Sequence, residues 1–171
     1  MALTRTEPVW VGPAGRVRLR RSGRVRQVRV TFVTSPPVAS PRSGTLVPAL
    51  AVRPRIVTRA GWHADESMRR APPVYAPALE MVFVHHTDTA TAAPCSDSAR
   101  IVRGIYAYHV LANGWNDIGY NFLIDRCGHV FEGRYGGITR PVVGAHARGF
   151  NTGSSGIAMI GTFTSTPPTR A

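Results

Sequence analysis

The sequence has 171 residues, of which 43% are hydrophobic, and its formal net charge is +12 because 21 basic residues outnumber nine acidic ones. It contains no run near the roughly 18–20 consecutive apolar residues that span a bilayer, and its first residues lack the apolar core of a signal peptide. Length and composition therefore exclude a membrane span and predict one globular domain, alone or with a tail.

The chain divides at a proline-rich segment. In residues 1–33, Arg alternates with apolar side chains on both sides of Ser22-Gly23, which is typical of a β-hairpin. Because an isolated hairpin is marginal in water, we interpret it as the remnant of an upstream β-rich domain. Residues 34–54 contain repeated Ser-Pro and Pro-Pro pairs and read as a semi-rigid linker. The compact domain is expected over residues 55–171.

The positive charge is concentrated before the compact region. Residues 1–52 hold nine Arg residues and a single acid, Glu7. This asymmetry raises the hypothesis of nucleic-acid binding. However, the Arg residues alternate along predicted strands, and no aromatic stacking platform accompanies them. We therefore expect no specific nucleic-acid partner and assign the charge to attraction towards anionic polymers.

Hydrophobic periodicity predicts five elements in the compact domain. A helix begins at Ser96 or Asp97 because either residue can cap it, and Asn113-Gly114 ends it. The predicted elements are a buried strand Met81–His86, a helix reaching about Ala112, strands Asn121–Asp125 and His129–Glu132 around a turn, and a strand Gly156–Phe163. This order predicts an α/β domain with a mixed central β-sheet flanked by helices.

Two adjacent histidines end the first strand. Neighbouring strand side chains face opposite sides of a sheet, so His85 and His86 cannot easily both face one site. One would face a site, and the other would pack or form a hydrogen bond. A catalytic zinc ion usually takes three protein ligands and leaves a position for water, so a metal site is one interpretation. Hydrogen-bonded strand histidines are the alternative, and the residues alone do not decide between them.

Two aromatic residues beside glycines are candidates for the same site. Tyr120 begins the next strand, and with an ordinary pKa of about 10 it would be a neutral hydrogen-bond donor near pH 7. Beside a metal it could stabilise a developing oxyanion, whereas packing on the core is the alternative. Trp115 is either a platform on which a sugar face stacks or a core anchor.

Three further polar residues and two cysteines are open to more than one interpretation. Arg134 and His146 lie among glycines, which permit close backbone approach to a ligand but also form ordinary turns. Asn151 could bridge a ligand or sit in a turn. Cys95 and Cys127 do not form a C-x-x-C pair, which disfavours a zinc ribbon or a thioredoxin-like motif. A disulfide is expected if the protein is exported, and two buried thiols otherwise.

Several short motifs occur in one order along the compact domain. They are Arg59-Ala60-Gly61-Trp62, V-H-H-T (84–87), Tyr108-His109, G-W-N-D-I-G-Y-N-F (114–122), F-E-G-R (131–134), G-A-H-A (144–147), G-F-N (149–151) and S-x-G-I (154–157). Together they resemble the peptidoglycan recognition protein family, within the type 2 amidase superfamily, in its actinobacterial form. One departure is His63, which stands where the family often has Gly.

The resemblance implies a zinc-dependent N-acetylmuramoyl-L-alanine amidase with peptidoglycan or muropeptides as its partner. The bond cut would be the amide between the lactyl group of N-acetylmuramic acid and the L-Ala of the stem peptide. His85 matches the first zinc ligand, and Tyr120 matches the catalytic tyrosine that assists the zinc-bound water. The positions that match the substrate groove are His109, Trp115, Arg134, His146 and Asn151.

The resemblance also implies what this sequence lacks. The other two zinc ligands of the family, a histidine and a cysteine or aspartate, lie on a later segment that does not occur here. We therefore expect a fragment cut at both ends, with an incomplete zinc site and no hydrolytic activity of its own. The alternative is a non-catalytic peptidoglycan-binding module. In either case the full-length protein is expected to be extracellular or associated with the cell wall.

Overall fold

A computed structural model describes residues 54–168 of the chain. The hairpin expected in residues 1–33 and nearly all of the expected linker lie outside the described residues. The regular elements are strands β1 (Ile56–Val57), β2 (Met81–His86), β3 (Phe122–Ile124), β4 (Val130–Glu132) and β5 (Ser154–Met159), and helix α1 (Ser98–Ala107). A π-helical turn, Tyr108–Ala112, continues α1.

The five strands form one mixed sheet in the order β1-β4-β3-β5-β2. Strands β3 and β4 are the antiparallel hairpin predicted from the sequence, and β5 lies parallel to both β2 and β3. The expectation of an α/β domain with a mixed central sheet is therefore confirmed. Strand β1, which pairs parallel to β4, was not predicted because two residues are too short to show a period.

Strand β5 begins two residues before the start of the predicted strand, Gly156, and ends four residues before its predicted end, Phe163. The Ile160 N–H still donates to the Ile124 carbonyl of β3 at 2.8 Å, and the chain then leaves the sheet because later donors bond to side chains of β2 and its following loop. The Gly161 N–H donates to Thr87 Oγ1 at 3.0 Å, and the Phe163 N–H donates to His86 Nδ1 at 2.9 Å. Gly161 has a φ of 137°, which turns the backbone out of the strand direction.

Helix α1 and its π-helical turn end at Ala112, as the sequence predicts. The start differs, because a 3-10 turn at Cys95–Asp97 precedes the helix. Asp97 occupies the cap position, but its carboxylate accepts a hydrogen bond from Arg100 and caps no backbone N–H. The buried face of α1 packs on one face of the sheet and forms the core, which consists of Trp62, Val102, Ile105, Tyr106, Val110, Ile118, Leu123, Phe131 and Ile160.

The other face of the sheet is open among the described residues. Val82 and Val84 point to this face and are 54% and 67% exposed. Apolar side chains of β3 and β5 that share the face are only half-buried. Within residues 54–168, every helix is too short or too polar to cross a bilayer.

A disulfide joins Cys95 to Cys127. It connects the segment before α1 to the turn between β3 and β4, and it closes a loop with a sequence separation of 32. Asp125 lies beside it, and its Oδ1 accepts hydrogen bonds from the N–H groups of Cys127 and His129, both at 2.9 Å. The turn that carries Cys127 is therefore held by backbone hydrogen bonds as well as by the covalent link.

Candidate functional site

Strand β2 places its two terminal histidines on opposite faces of the sheet, as the alternation of strand side chains predicts. His85 faces the α1 side, where its register partner on β5 is the small residue Ala158. Ala158 is itself fully buried, whereas His85 is half-buried. His86 faces away and accepts the Phe163 N–H at 2.9 Å. Of the pair, His85 is therefore the residue that faces a site.

A second histidine, His146, contacts His85 on this side of the sheet. The Nδ1 atom of His146 lies 3.1 Å from Nε2 of His85, and its Nε2 lies 3.3 Å from Ser154 Oγ. The Ser154 hydroxyl donates to the Phe150 carbonyl, so its oxygen is free to accept the His146 Nε2–H. This pattern assigns His146 the Nε2–H tautomer, and its Nδ1 accepts the Nε2–H of His85.

Two glycines make room for the His146 ring. A Cβ atom on Gly156 would collide with Cγ of His146, and one on Gly144 would lie 2.5 Å from its Cδ2. The ring is therefore seated against the backbone of β5. The Gly-rich surroundings noted in the sequence here serve close approach of a histidine, and a side chain at either position would displace it.

A row of rings continues from His85 to Trp115, and the surface formed by this row together with His146 is called the cleft below. The ring of Tyr120 lies 5.6 Å from that of His85 and 5.5 Å from that of His109, and Trp115 lies 4.6 Å from His109. The π-helical turn carries His109, whose Nδ1 accepts the Gly119 N–H at 3.1 Å. Trp115 is half-buried and lies outside the core. The structure thus brings together five residues from four separate motifs: His85, His109, Trp115, Tyr120 and His146.

Burial keeps the rings of this row uncharged near neutral pH. Desolvation, followed by the charge of Arg134, lowers the pKa of His109 to about 4. Desolvation and the neighbouring His85 lower the pKa of His146 to about 4. The pKa of His85 is also lowered by burial, and that of Tyr120 is raised by burial and by the charge of Asp88. The cleft therefore offers neutral imidazoles and a protonated phenol.

Arg134 and Asn151 bond to the backbone of segments that carry rings of the row. Arg134 is half-buried, its Nη1 donates to the Ile118 carbonyl at 3.2 Å, and its charge acts on both His109 and His146. Asn151 has the turn role, because its Oδ1 accepts the N–H groups of His146 and Ala147 at 2.8 and 2.9 Å. Its contribution is to orient the segment that carries His146.

The sequence reasoning missed two aromatic residues of the cleft. The ring of Phe83 lies 5.8 Å from His146 and 6.1 Å from His85, and Phe150 lies 6.3 Å from Phe83. A signal for Phe83 exists in the sequence, since it precedes His85 by two residues on β2 and must share its face. Phe150 lies on an irregular loop, where periodicity gives no information.

The histidine pair alone does not complete a zinc site. A catalytic zinc ion requires three protein ligands, and the facing nitrogens of His85 and of the groove residue His146 would together supply only two. Among residues 54–168, the one group of three close Cys, His, Asp or Glu ligand atoms is Cys95, Asp125 and Cys127, and its cysteines are joined in the disulfide. The remaining sequence contains no His, Cys or Asp. The residues present therefore do not fit a complete catalytic zinc centre.

The mixed sheet, covered on one face by α1 and carrying a row of histidine and aromatic rings, defines an α/β domain with a candidate binding site. The family model for N-acetylmuramoyl-L-alanine amidase matches residues 75–171, which is more than half of the chain. The chain belongs to this amidase family, which includes relatives named as peptidoglycan recognition proteins.

Two curated relatives and one solved structure illustrate the similarity. Peptidoglycan-recognition protein LE of Drosophila melanogaster is 38% identical over 114 residues, covering 67% of this chain and 32% of the relative. Human N-acetylmuramoyl-L-alanine amidase is 37% identical over 121 residues, covering 69% and 20%. The crystal structure of human PGRP-IBETAC with glycosamyl muramyl pentapeptide aligns at a TM-score of 0.58 and 32% identity, covering 68% of this chain and 67% of that one. The chain thus spans a third or less of these curated relatives.

Proposed function

We propose that this domain binds peptidoglycan fragments in the cleft between Trp115 and His146. The protein to which it belongs would be a zinc-dependent N-acetylmuramoyl-L-alanine amidase that cuts the lactyl–L-Ala amide. The observation that carries the proposal is the continuous row of neutral rings running from Trp115 through His109 and Tyr120 to the histidine pair. Relatives named as amidases and as recognition proteins, and a neighbour solved with a muramyl pentapeptide, support it.

The cleft residues suit the chemistry of a muropeptide. Trp115 offers a half-exposed ring on which a sugar face can stack. Tyr120, whose pKa is raised by burial, keeps its phenolic proton and can donate it to an amide carbonyl. Arg134 supplies positive charge that suits the carboxylates of a stem peptide. These contacts require no metal, so binding is within reach of residues 54–168.

Hydrolysis requires more than these residues supply. We assign His85 to the zinc site of the amidase, for which residues 54–168 do not supply a complete ligand set. We therefore expect the 171-residue chain to bind muropeptides without releasing stem peptide. A non-catalytic binding module is the second candidate, and the incomplete ligand set favours it for this chain. The two differ in turnover, which an assay of stem-peptide release in the presence of Zn²⁺ measures directly.

Two tyrosine-to-phenylalanine variants test the proposed binding site. The probe is N-acetylmuramoyl-L-Ala-D-isoGln, called the muramyl dipeptide below, and its binding is measured by titration calorimetry. The control ligand is L-Ala-D-isoGln, which lacks muramic acid. Tyr120→Phe removes the cleft hydroxyl, and we expect a loss of affinity of about fivefold, the usual size for one neutral hydrogen bond. Tyr108→Phe removes a hydroxyl from a residue that is 61% exposed, and affinity should not change. Failure of the wild-type chain to bind the muramyl peptide would reject the proposed function.

The same proposal places the protein outside the cytoplasm. Peptidoglycan is an extracellular polymer, and the Cys95–Cys127 disulfide is of a kind that persists in oxidising compartments. The net charge of +12 favours approach to anionic cell-wall polymers. Detection of the protein in the cell-wall and culture fractions, with both thiols unreactive to alkylation, would support this location, and recovery only from the cytoplasm with free thiols would contradict it.

A further inference from the structure

A buried carboxylate links the two segments that form one wall of the cleft. Asp117 is 3% exposed and lies three residues before Tyr120. Its Oδ1 accepts the N–H of Ile118 at 2.7 Å, and its Oδ2 accepts the N–H of Tyr135 at 2.9 Å. One side chain therefore fastens the segment that carries the candidate catalytic tyrosine to the segment that follows β4.

The carboxylate continues a ladder of backbone hydrogen bonds. The Gly133 N–H donates to the Asn121 carbonyl, and the Arg134 N–H donates to the Tyr120 carbonyl, both at 2.8 Å. The next donor, Tyr135 N–H, meets the Asp117 carboxylate instead of a backbone carbonyl. The side chain thus takes the place of the missing ladder bond, next to the position of the Arg134 guanidinium.

The linkage is supported from the interior by Arg59. This guanidinium is 4% exposed, and its Nη1 donates to Asp117 Oδ1 at 3.2 Å and to the Gly133 carbonyl. Its Nε donates to Glu66 at 2.7 Å. Because Arg59 holds both the carboxylate and the residue before Arg134, the two segments share one buried anchor.

We propose that Asp117 is a positioning residue for the cleft, which sets the spacing between Tyr120 and Arg134 that muropeptide binding requires. The inference rests on the proposed function and deepens it. Asp117 is buried behind the cleft, where its carboxylate bonds to Arg59 and to the N–H groups of Ile118 and Tyr135. Its effect on a ligand would be exerted through the phenol and the guanidinium on either side of it.

The test variant is Asp117→Asn, which keeps the shape of the side chain. An amide has one acceptor oxygen where the carboxylate has two, so its NH₂ group must face either the Ile118 N–H or the Tyr135 N–H. One of the two backbone links is then lost. The matched control is Asp125→Asn. That aspartate is also buried and accepts two backbone N–H groups, but it lies in the β3–β4 turn beside the disulfide, away from the cleft.

The first readout is amide hydrogen exchange without ligand. In Asp117→Asn we expect exchange at residues 118–120 and 133–135 to be about tenfold faster, while β2 and β5 keep their protection. In Asp125→Asn a single amide oxygen can still accept both the Cys127 and the His129 N–H, because Oδ1 accepts both, so exchange at 118–120 and 133–135 should stay at the wild-type rate. Unchanged exchange at Ile118 and Tyr135 would overturn the inference. Equal loss of protection across β2 and β5 would also overturn it, because it would assign Asp117 to global stability alone.

The second readout is affinity for the muramyl dipeptide at a temperature where circular dichroism shows both variants folded. Asp117→Asn should lose about tenfold in affinity, and Asp125→Asn should bind like the wild type. Adding Asp117→Asn to Arg134→Ala should cost less affinity than Asp117→Asn costs in the wild type, because the part of its effect that acts through Arg134 is already lost. Equal affinity of Asp117→Asn and wild type would overturn the positioning role. Absence of binding by the wild type would reject the proposed function and leave the exchange result to decide whether Asp117 joins the segments.

Discussion

The Nε2 atom of His85 and the Nδ1 atom of His146 lie 3.1 Å apart, one on strand β2 and the other on the loop before β5. The pair depends on glycine at position 156, whose missing Cβ leaves space for the His146 ring. We expect Gly156→Ala to push the ring off the β5 backbone and to lower affinity for the muramyl dipeptide by about tenfold or more. Calorimetry on the folded variant measures this directly.

Gly104→Ala is the matched control for that substitution. Gly104 lies in α1, and a Cβ atom there would meet nothing within 4 Å. Because alanine is favoured over glycine in a helix interior by about 1 kcal/mol, this variant should be more stable and should bind normally. Normal binding by Gly156→Ala would show that the seat of His146 does not matter for the ligand.

Most of the fold followed from periodicity, and the failures have physical causes. The strand Met81–His86, the β3–β4 hairpin and the helix end at Ala112 agree with the prediction because apolar spacing and turn residues mark them. Strand β5 was misplaced, since its end is set by hydrogen bonds to Thr87 and His86, which are remote in sequence.

The site shows the same division between local and long-range information. The opposite orientations of His85 and His86 followed from strand alternation. The contact between His85 and His146 did not, because it joins residues 61 apart in sequence and depends on a register between β2 and β5 that no local pattern specifies. The role of Asn151 in holding the His146 turn was one of two open interpretations, and only the folded geometry distinguishes them.

Zinc affinity should separate the two adjacent histidines. Because residues 54–168 supply only two facing nitrogens, we expect the 171-residue chain to bind Zn²⁺ weakly, with a Kd in the micromolar range or above. Complete structural zinc sites bind more tightly, with binding free energies of about 10–16 kcal/mol. His85→Ala should abolish this binding, whereas His86→Ala should leave it intact because His86 faces the opposite side. Competition with a zinc indicator dye provides the measurement, and tight stoichiometric zinc with turnover of muropeptides would refute the expectation.

Acid should destabilise the domain in a window defined by His109. Burial and the charge of Arg134 lower its pKa from 6.5 to about 4 in the folded state, so the unfolded chain binds the extra proton between these values. The stability contribution is complete above pH 6.5 and is lost as the pH falls towards 4. Protonation also removes the Nδ1 acceptor used by the Gly119 N–H.

His109→Gln is the variant that isolates this effect. Urea unfolding of wild type and variant between pH 4 and pH 7 should show a smaller decrease in the free energy of unfolding for the variant. Part of the decrease should persist, because the pKa of His146 is also lowered to about 4. Parallel curves for the two proteins would argue against a buried neutral His109.

His63, which stands where the family often has Gly, should lower the free energy of unfolding of the domain. This exposed residue has a φ of 57°, in the left-handed region where side chains other than glycine are strained. We expect His63→Gly to raise the free energy of unfolding by about 0.5–1 kcal/mol, after the larger unfolded-state entropy of glycine is allowed for. His63→Ala keeps the Cβ atom and should give no comparable gain in urea denaturation. Equal stability of the two variants would mean that the backbone at this position relaxes without strain.

The disulfide should contribute more to stability than any single side chain considered above. It closes a loop with a sequence separation of 32, for which the chain-entropy model gives about 3–4 kcal/mol. Cys95→Ser/Cys127→Ser should lower the free energy of unfolding by this order, and dithiothreitol should bring the wild type to a similar value. Since Asp125 still holds the Cys127 turn through two backbone hydrogen bonds, the reduced protein should keep its β3–β4 hairpin and its muramyl dipeptide affinity at low temperature. An unchanged denaturation midpoint in reductant would contradict a structural role for the bond, and loss of ligand affinity in the folded, reduced protein would extend that role to the cleft.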